Sequence, residues 1–404
     1  MTRRALCPWP APERVCAAFC LAFGLAACGG GGGSGSDAAP PPAALSQAAA
    51  LGKKIFFDIS LSASGKMACA TCHDPAFAHA QPNSLAVQSG GAGLDVPGLR
   101  AVPSLDYLSS TPAFFIDGEG TPTGGFDRDG RVDTLADQAI RPFLAAHEMA
   151  NASATEVANR LVHAAYADEF RQVFGNDVFA DADTAFLRAR QALERYQRED
   201  LSFRAFDSKY DAFLAGKATL TPQEMRGLAL FNAPDKGNCA GCHPSGRGAD
   251  GSPPLFTDFT YDNLGLPRNA AIPGNADPAY RDMGLCGPFR TDLAARRDFC
   301  GAFKVPTLRN VATRKVMFHN AAFTSLKDAL TFYVQRDTNP EKFYPPAAGG
   351  GVDKFDDLPA DLARNVNTTE VPYNRHEGEA PALSDAEIDD VIAFLATLND
   401  GYTP

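Results

Sequence analysis

The chain is poor in tryptophan, in basic residues and in long apolar runs, and each shortage excludes something. Of 404 residues one is tryptophan, Trp9. Lys and Arg number 37 against 48 Asp and Glu, a formal net charge of −11, which argues against gripping a phosphate backbone and sets nucleic acid aside as a partner. No stretch reaches the ~18 consecutive apolar residues of a membrane span. Strand-like alternation is scarce, so the expected fold class is mainly α. The remainder is ordinary globular protein: 45% hydrophobic and 21% charged, long enough for two or three domains, with disorder excluded for most of it.

Arg3, Arg4 and Arg14 flank an apolar run over residues 15–27, too short to cross a bilayer but suited to an export signal. The run ends Leu25-Ala-Ala-Cys28, which resembles a bacterial lipobox. Small residues suit the signal peptidase, and the Cys28 thiol would take the lipid that tethers the mature chain. An ordinary cleaved signal with a chance cysteine is the alternative. Removal of residues 1–27 takes Trp9 with it, so the exported chain has no tryptophan. Residues 28–50 read as a Gly/Ser tether with a stiff step at Pro40-Pro41-Pro42. The expected location is the periplasm, with membrane contact through the N-terminal lipid alone.

Ten cysteines would be odd in a reducing cytosol. Three leave with the signal, Cys28 is the lipid site, and six remain. Four form Cys69-Ala-Thr-Cys72-His73 and Cys239-Ala-Gly-Cys242-His243, two copies of the c-type haem attachment motif. Two thiols one helical turn apart can bond the haem vinyls, and the adjacent histidine is then carried beneath the iron as its ligand. A zinc half-site or a redox pair is the competing reading of a single copy. Cys286 and Cys300 are left, and in an oxidising compartment a disulfide is their natural pairing, two buried thiols the alternative.

Leu51-Gly-Lys-Lys-Ile-Phe-Phe57 precedes the first motif and Arg226-Gly-Leu-Ala-Leu-Phe231 the second, each a short amphipathic helix, which points to an internal duplication. Thr221-Pro-Gln-Glu224 and Ser384-Asp-Ala-Glu387 are capping boxes opening helices. Residues 155–174 and 183–206 read as helices. The expected organisation is a haem domain over residues 51–215 and a second over residues 216–404. The stretch 345–383 is rich in Pro, Gly and Asp and too long for a mere connector, so a partner surface or a lid is expected there.

Two CxxCH motifs 170 residues apart, with Leu51-Gly-Lys-Lys-Ile-Phe-Phe-Asp58, Asp129-Gly-Arg-Val-Asp-Thr-Leu-Ala-Asp-Gln138, His147-Glu148-Met149, Lys304-Val-Pro-Thr-Leu-Arg-Asn-Val311 and His319-Asn320, resemble the bacterial di-haem cytochrome c peroxidases and their relative MauG. The resemblance covers about residues 50–400. It implies two cytochrome-c-like domains facing each other, two covalent haem c groups, peroxide chemistry at the first haem and electron handling at the second. Gln138 and Glu148 fall on the family's distal pair, where a carboxylate can carry a proton between the peroxide oxygens while an amide orients the substrate. Without the resemblance both read as ordinary solvated residues. The family's blocking histidine would lie in residues 81–93, which hold none, so the first haem is expected open; His79 reads as a surface or propionate-contacting residue.

For the second haem the family's distal ligand lies 14 residues beyond His319, which is Tyr333, with Met317 the rival. A helix opening at Ser325 would put Leu326, Leu330 and Tyr333 on one face. Two positions depart from the family. Arg128 stands where an inter-haem tryptophan is expected, and Ala101 where an asparagine helps hold a calcium ion, which leaves backbone carbonyls as ligands for any calcium here. The expected partners are hydrogen peroxide and a small donor protein such as a cytochrome c or cupredoxin, or else a protein substrate; a homodimer is an open assembly. Three functions compete: a peroxidase, a MauG-like oxidase and a plain electron carrier. His163 and His376 read as surface residues.

Overall fold

Apolar side chains at helical spacing and polar residues at the caps account for the helices of the computed structural model, which describes residues 44–403; the expected signal, Cys28 and the tether up to residue 43 lie outside them. Helix α1 (Gln47–Phe56) starts ahead of the expected Leu51, because Ser46 caps it by accepting from the Ala49 amide at 3.2 Å. It leads to the single turn α2 (Cys69–Cys72). Two short hairpins follow, β1 (Ser89–Gly90) with β2 (Val96–Pro97) and β3 (Phe115–Ile116) with β4 (Pro122–Thr123). Then come α3 (Leu135–Gln138), α4 (Ile140–Leu144), α5 (Ala154–Leu161), α6 (Ala167–Phe174) and α7 (Ala182–Glu199). The helix expected over 155–174 is therefore two, because the chain turns at 162–166. The one expected over 183–206 stops at Glu199, where Asp200 is extended (φ −73°, ψ 124°) and caps the following 3₁₀ turn.

Helix α8 (Lys209–Leu214) precedes α9 (Pro222–Asn232), which opens with the expected capping box: Thr221 and Glu224 exchange bonds of 2.7 and 3.2 Å. A third antiparallel pair, between distant segments, joins β5 (Tyr261–Asp262) to β6 (Phe303–Lys304), and α10 (Leu326–Gln335) and α11 (Asp385–Ala396) complete the chain. The three pairs have two residues per strand, so the described chain is mainly α.

Two hydrophobic cores form. The first gathers Leu51, Ile55, Phe56, Phe143, Phe170, Leu193, Tyr196 and Phe203; the second gathers Tyr210, Phe231, Phe256, Leu330, Val391, Phe394 and Leu395. Each is organised by one close helix crossing. A Cβ on Gly52 of α1 would lie 2.0 Å from the Ala192 carbonyl oxygen of α7, and a Cβ on Gly227 of α9 would lie 2.0 Å from the Asp390 carbonyl oxygen of α11. Glycine at matching places ahead of both CxxCH motifs thus lets the helix backbones touch, the physical content of the suspected duplication. Between the cores, Arg100 pairs with Asp282 at 2.6 and 2.7 Å, and Asn310 donates to Asp106 at 3.1 Å. Cys286 and Cys300 are joined as a disulfide.

Candidate active site

Each CxxCH motif lines its own cavity, and the histidines are held alike. His73 Nδ1 lies 3.0 Å from the His79 carbonyl, and His243 Nδ1 lies 2.7 Å from the Phe256 carbonyl. A carbonyl can only accept, so Nδ1 carries the proton in both and Nε2 keeps its lone pair for a metal. Burial holds His73 down at about 4 and lowers His243 as well, so both rings stay neutral, the form that ligates. Burial also pushes the thiols up, to about 12 for Cys69, Cys239 and Cys242 and about 11 for Cys72. Redox-active CxxC pairs need the opposite shift. Paired, neutral, unbridged thiols beside a neutral imidazole in a mostly apolar cavity fit thioether attachment of a c-type haem.

The first cavity, about 190 Å³, is lined by Cys69, Cys72 and His73 together with Gln138, Arg141, His147 and Glu148. The expected distal pair therefore shares a cavity with the first motif. Glu148 sits in the turn after α4, and about a third of its side chain is accessible, toward the cavity. Burial pushes its carboxyl up to about 7, opposed by Arg141 and reinforced by Asp127. His147, lowered by burial and by Arg141, places Nε2 3.6 Å from Glu148 Oε1. Gln138 ends α3 and donates its amide to Asp127 at 3.3 Å; Asp127 also pairs with Arg131 at 2.8 Å and Arg141 at 3.2 Å.

Sequence reasoning missed the support beneath this turn. A Cβ on Gly90 would lie 2.5 Å from the His147 carbonyl and 2.6 Å from that of Glu148, and the Gly91 amide donates to the Glu148 carbonyl at 2.8 Å. The pairing is non-local, and a Gly-Gly step alone does not advertise it. His79 is corrected: it is buried, not superficial. Its ring stacks on Phe203 at 3.8 Å and bonds Asp106 at 2.7 Å, while its carbonyl accepts the hydrogen bond from His73 Nδ1, so it stands behind the motif histidine. His163 and His376 are exposed.

The second cavity, about 340 Å³ and within the usual ~300–1,000 Å³ of ligand sites, is lined by Cys239, Cys242, His243, Tyr333, Met317 and His319. Leu326, Leu330 and Tyr333 all face it from α10, as the helical spacing required. Burial and the Asp262 carboxylate push the Tyr333 hydroxyl up, so only a cation in the cavity would hold it as phenolate. Met317, its rival, is buried in the same wall. Part of the 345–383 stretch covers this cavity with Glu370, Val371, Pro372 and Tyr373. Arg128 lines both cavities, and its guanidinium donates to the Ala101 carbonyl at 3.1 and 3.3 Å.

The model of the di-haem cytochrome c peroxidases matches residues 46–219. The chain is 36% identical over 360 residues to the methylamine utilization protein MauG of Paracoccus denitrificans, covering 87% of this chain and 88% of that protein. It is 27% identical over 293 residues to the cytochrome c551 peroxidase of Nitrosomonas europaea, covering 70% and 71%. Among solved structures, the diheme peroxidase BthA of Burkholderia thailandensis aligns with a TM-score of 0.79 at 40% identity, over 87% of this chain and 86% of that one. The chain belongs to the di-haem cytochrome c peroxidase and MauG family, whose members are oxidoreductases built around two c-type haems.

Proposed function

We propose that the chain is an exported peroxidase that reduces hydrogen peroxide in the cavity of His73, with electrons arriving through the cavity of His243. The observation that carries this reading is Glu148: a carboxyl that burial brings to about 7, in one cavity with Cys69, Cys72 and His73, can both take and return a proton near neutral pH. Haem attached to the two thiol pairs would be held by His73 and His243 and would supply the electron chemistry. The chain supplies the rest. Glu148 accepts a proton from one peroxide oxygen and returns it to the other, which then departs as water. Gln138, held by Asp127, orients the substrate through its amide, and Arg141 moderates the basicity of Glu148.

Tyr333, as phenolate, would hold the haem iron at the His243 cavity together with His243. This favours a second reading, a MauG-like oxidase in which the oxidising equivalents are passed on to a protein or small molecule. A six-coordinate electron carrier would have no use for Glu148. The two cores act as two cytochrome-c-like domains facing each other, and drawing their boundary ahead of Ser208 gathers Tyr210 with the second core, where it packs. Calcium is left out of the proposal, because the Ala101 carbonyl faces the Arg128 guanidinium, which repels a cation. The protein works in the periplasm on a Cys28 lipid, fed by a small donor protein; no helix of the described residues is long and apolar enough to cross a membrane.

The test is direct. Denaturing mass spectrometry should find two covalent haems, electron paramagnetic resonance one high-spin ferric centre, and peroxide should be consumed without prior reduction. Two low-spin centres inert to peroxide would leave the electron carrier instead. Cys28→Ser should release the protein from the membrane fraction.

A further inference from the structure

Three cations in the wall of the second cavity have no carboxylate partner. Arg128 donates to the Ala101 carbonyl, Arg314 to the Val102 carbonyl at 3.0 Å, and Lys304 to the Gly125 carbonyl. None of the three forms an ion pair among the described residues. This is no local habit, because neighbouring guanidiniums are neutralised: half-buried Arg100 by Asp282 and Asp129, and buried Arg309 by Asp211 at 2.8 Å. All three are half-buried; unpaired charge partly withdrawn from water is costly, and desolvation lowers Arg128 to about 9, Arg314 to about 10 and Lys304 to about 8. His319 adds a fourth polar group. It lines the same cavity, its ring is buried and stacked on Phe303 at 3.5 Å, and its Nε2 has no hydrogen-bond partner among the described residues.

The acids in this wall do not answer the cations. Asp282 is committed to Arg100, and Asp357 to Arg268 and Asn320. Asp262 and Glu370 both accept from Asn367, and their charges act on Cys242, at the thiol end. A polarised cavity of this kind calls for a ligand that is anionic at the end away from the thioethers. In a haem the vinyls and the propionates leave opposite edges of the ring, so tying the vinyl edge to Cys239 and Cys242 turns the carboxylates away from them.

We propose that Arg128 and Arg314, backed by Lys304 and His319, bind the propionate carboxylates of the haem attached to Cys239 and Cys242. The inference rests on the di-haem reading and adds the residues that receive the second haem's charge. It also changes the meaning of Arg128 between the cavities. A guanidinium neutralised by a propionate is not a bare positive barrier between the haems, and its place in the walls of both cavities makes it a polar bridge at the position where a tryptophan is expected.

The experiment uses the intact two-haem protein, with covalent haem counted first; fewer than two in the wild type sinks the di-haem reading itself. Resonance Raman then follows the propionate bending bands, and spectroelectrochemistry the reduction potentials, from about pH 5.5 to 8.5. Wild type should show fixed bands and a flat potential for the second haem, its propionates staying ionised. Arg128→Met and Arg314→Met should shift the bands and give a potential that falls with pH as a propionate titrates, Arg128→Lys and Arg314→Lys should largely restore wild-type behaviour, and the exposed Arg247→Met should match wild type. Unchanged bands and a flat potential in both methionine variants, with two haems present, overturn the proposal. Should those variants fail to take up haem, the wild type still decides: infrared difference spectra showing all its propionates titrating like free carboxylates overturn it, and spectra showing them ionised throughout support it.

Discussion

Glu148 should impose its own titration on peroxide turnover. The ordinary glutamate value of 4.5 rises to about 7 because burial removes water from the carboxylate faster than Arg141 can compensate, with Asp127 adding repulsion. The ionised fraction is then about a tenth at pH 6 and about nine-tenths at pH 8. The free enzyme needs that form to accept the peroxide proton, so kcat/KM for peroxide should rise about tenfold between these values and level off above. Arg141→Met removes the opposing cation and should move the midpoint upward. Glu148→Gln should flatten the profile and lower the rate by about 10²-fold or more, with haem content unchanged. Stability has its own sign: a carboxyl raised in the folded state contributes fully below the unfolded value near 4.5, and that contribution is lost as pH rises through about 7. Stopped-flow peroxide reduction across pH is the assay. A midpoint near 4.5, or one that survives in Glu148→Gln, would refute the assignment.

Tyr333→Phe should alter the low-spin ferric signal, and Met317→Leu should not; the near-infrared band of methionine-to-iron charge transfer should be absent, and loss of the low-spin signal in Met317→Leu would assign methionine instead. Gly227→Ala should force α9 from α11 and cost about 1–3 kcal/mol or more, read as a fall in Tm, because the new Cβ meets the Asp390 carbonyl at 2.0 Å; an unchanged Tm would mean that the crossing relaxes freely. Gly90→Ala should displace the His147–Glu148 turn, slowing peroxide reduction while both haems are retained, and an unaltered rate would show that the turn does not depend on this contact.

Local patterns were legible from the residues alone. The CxxCH pairs, both capping boxes and the inward face of α10 depend on neighbours within a turn or two, where spacing dictates which side chains meet. That spacing also put Tyr333 in the cavity wall, though whether it outcompetes Met317 is a matter of metal geometry, which no spacing encodes. Pairings between distant segments were not legible. The break at 162–166 followed from how two short helices wrap the first core, and the burial of His79 from Asp106 and Phe203, which lie 27 and more residues away. Gly52, Gly90 and Gly227 look like any other glycines until a carbonyl from a remote helix or turn is seen pressed against them. The charges of Arg128, Arg314 and Lys304 are plain in the sequence, but that they stand half-buried around one cavity without a carboxylate depends on desolvation and on which acids are already taken, and only the folded chain decides both.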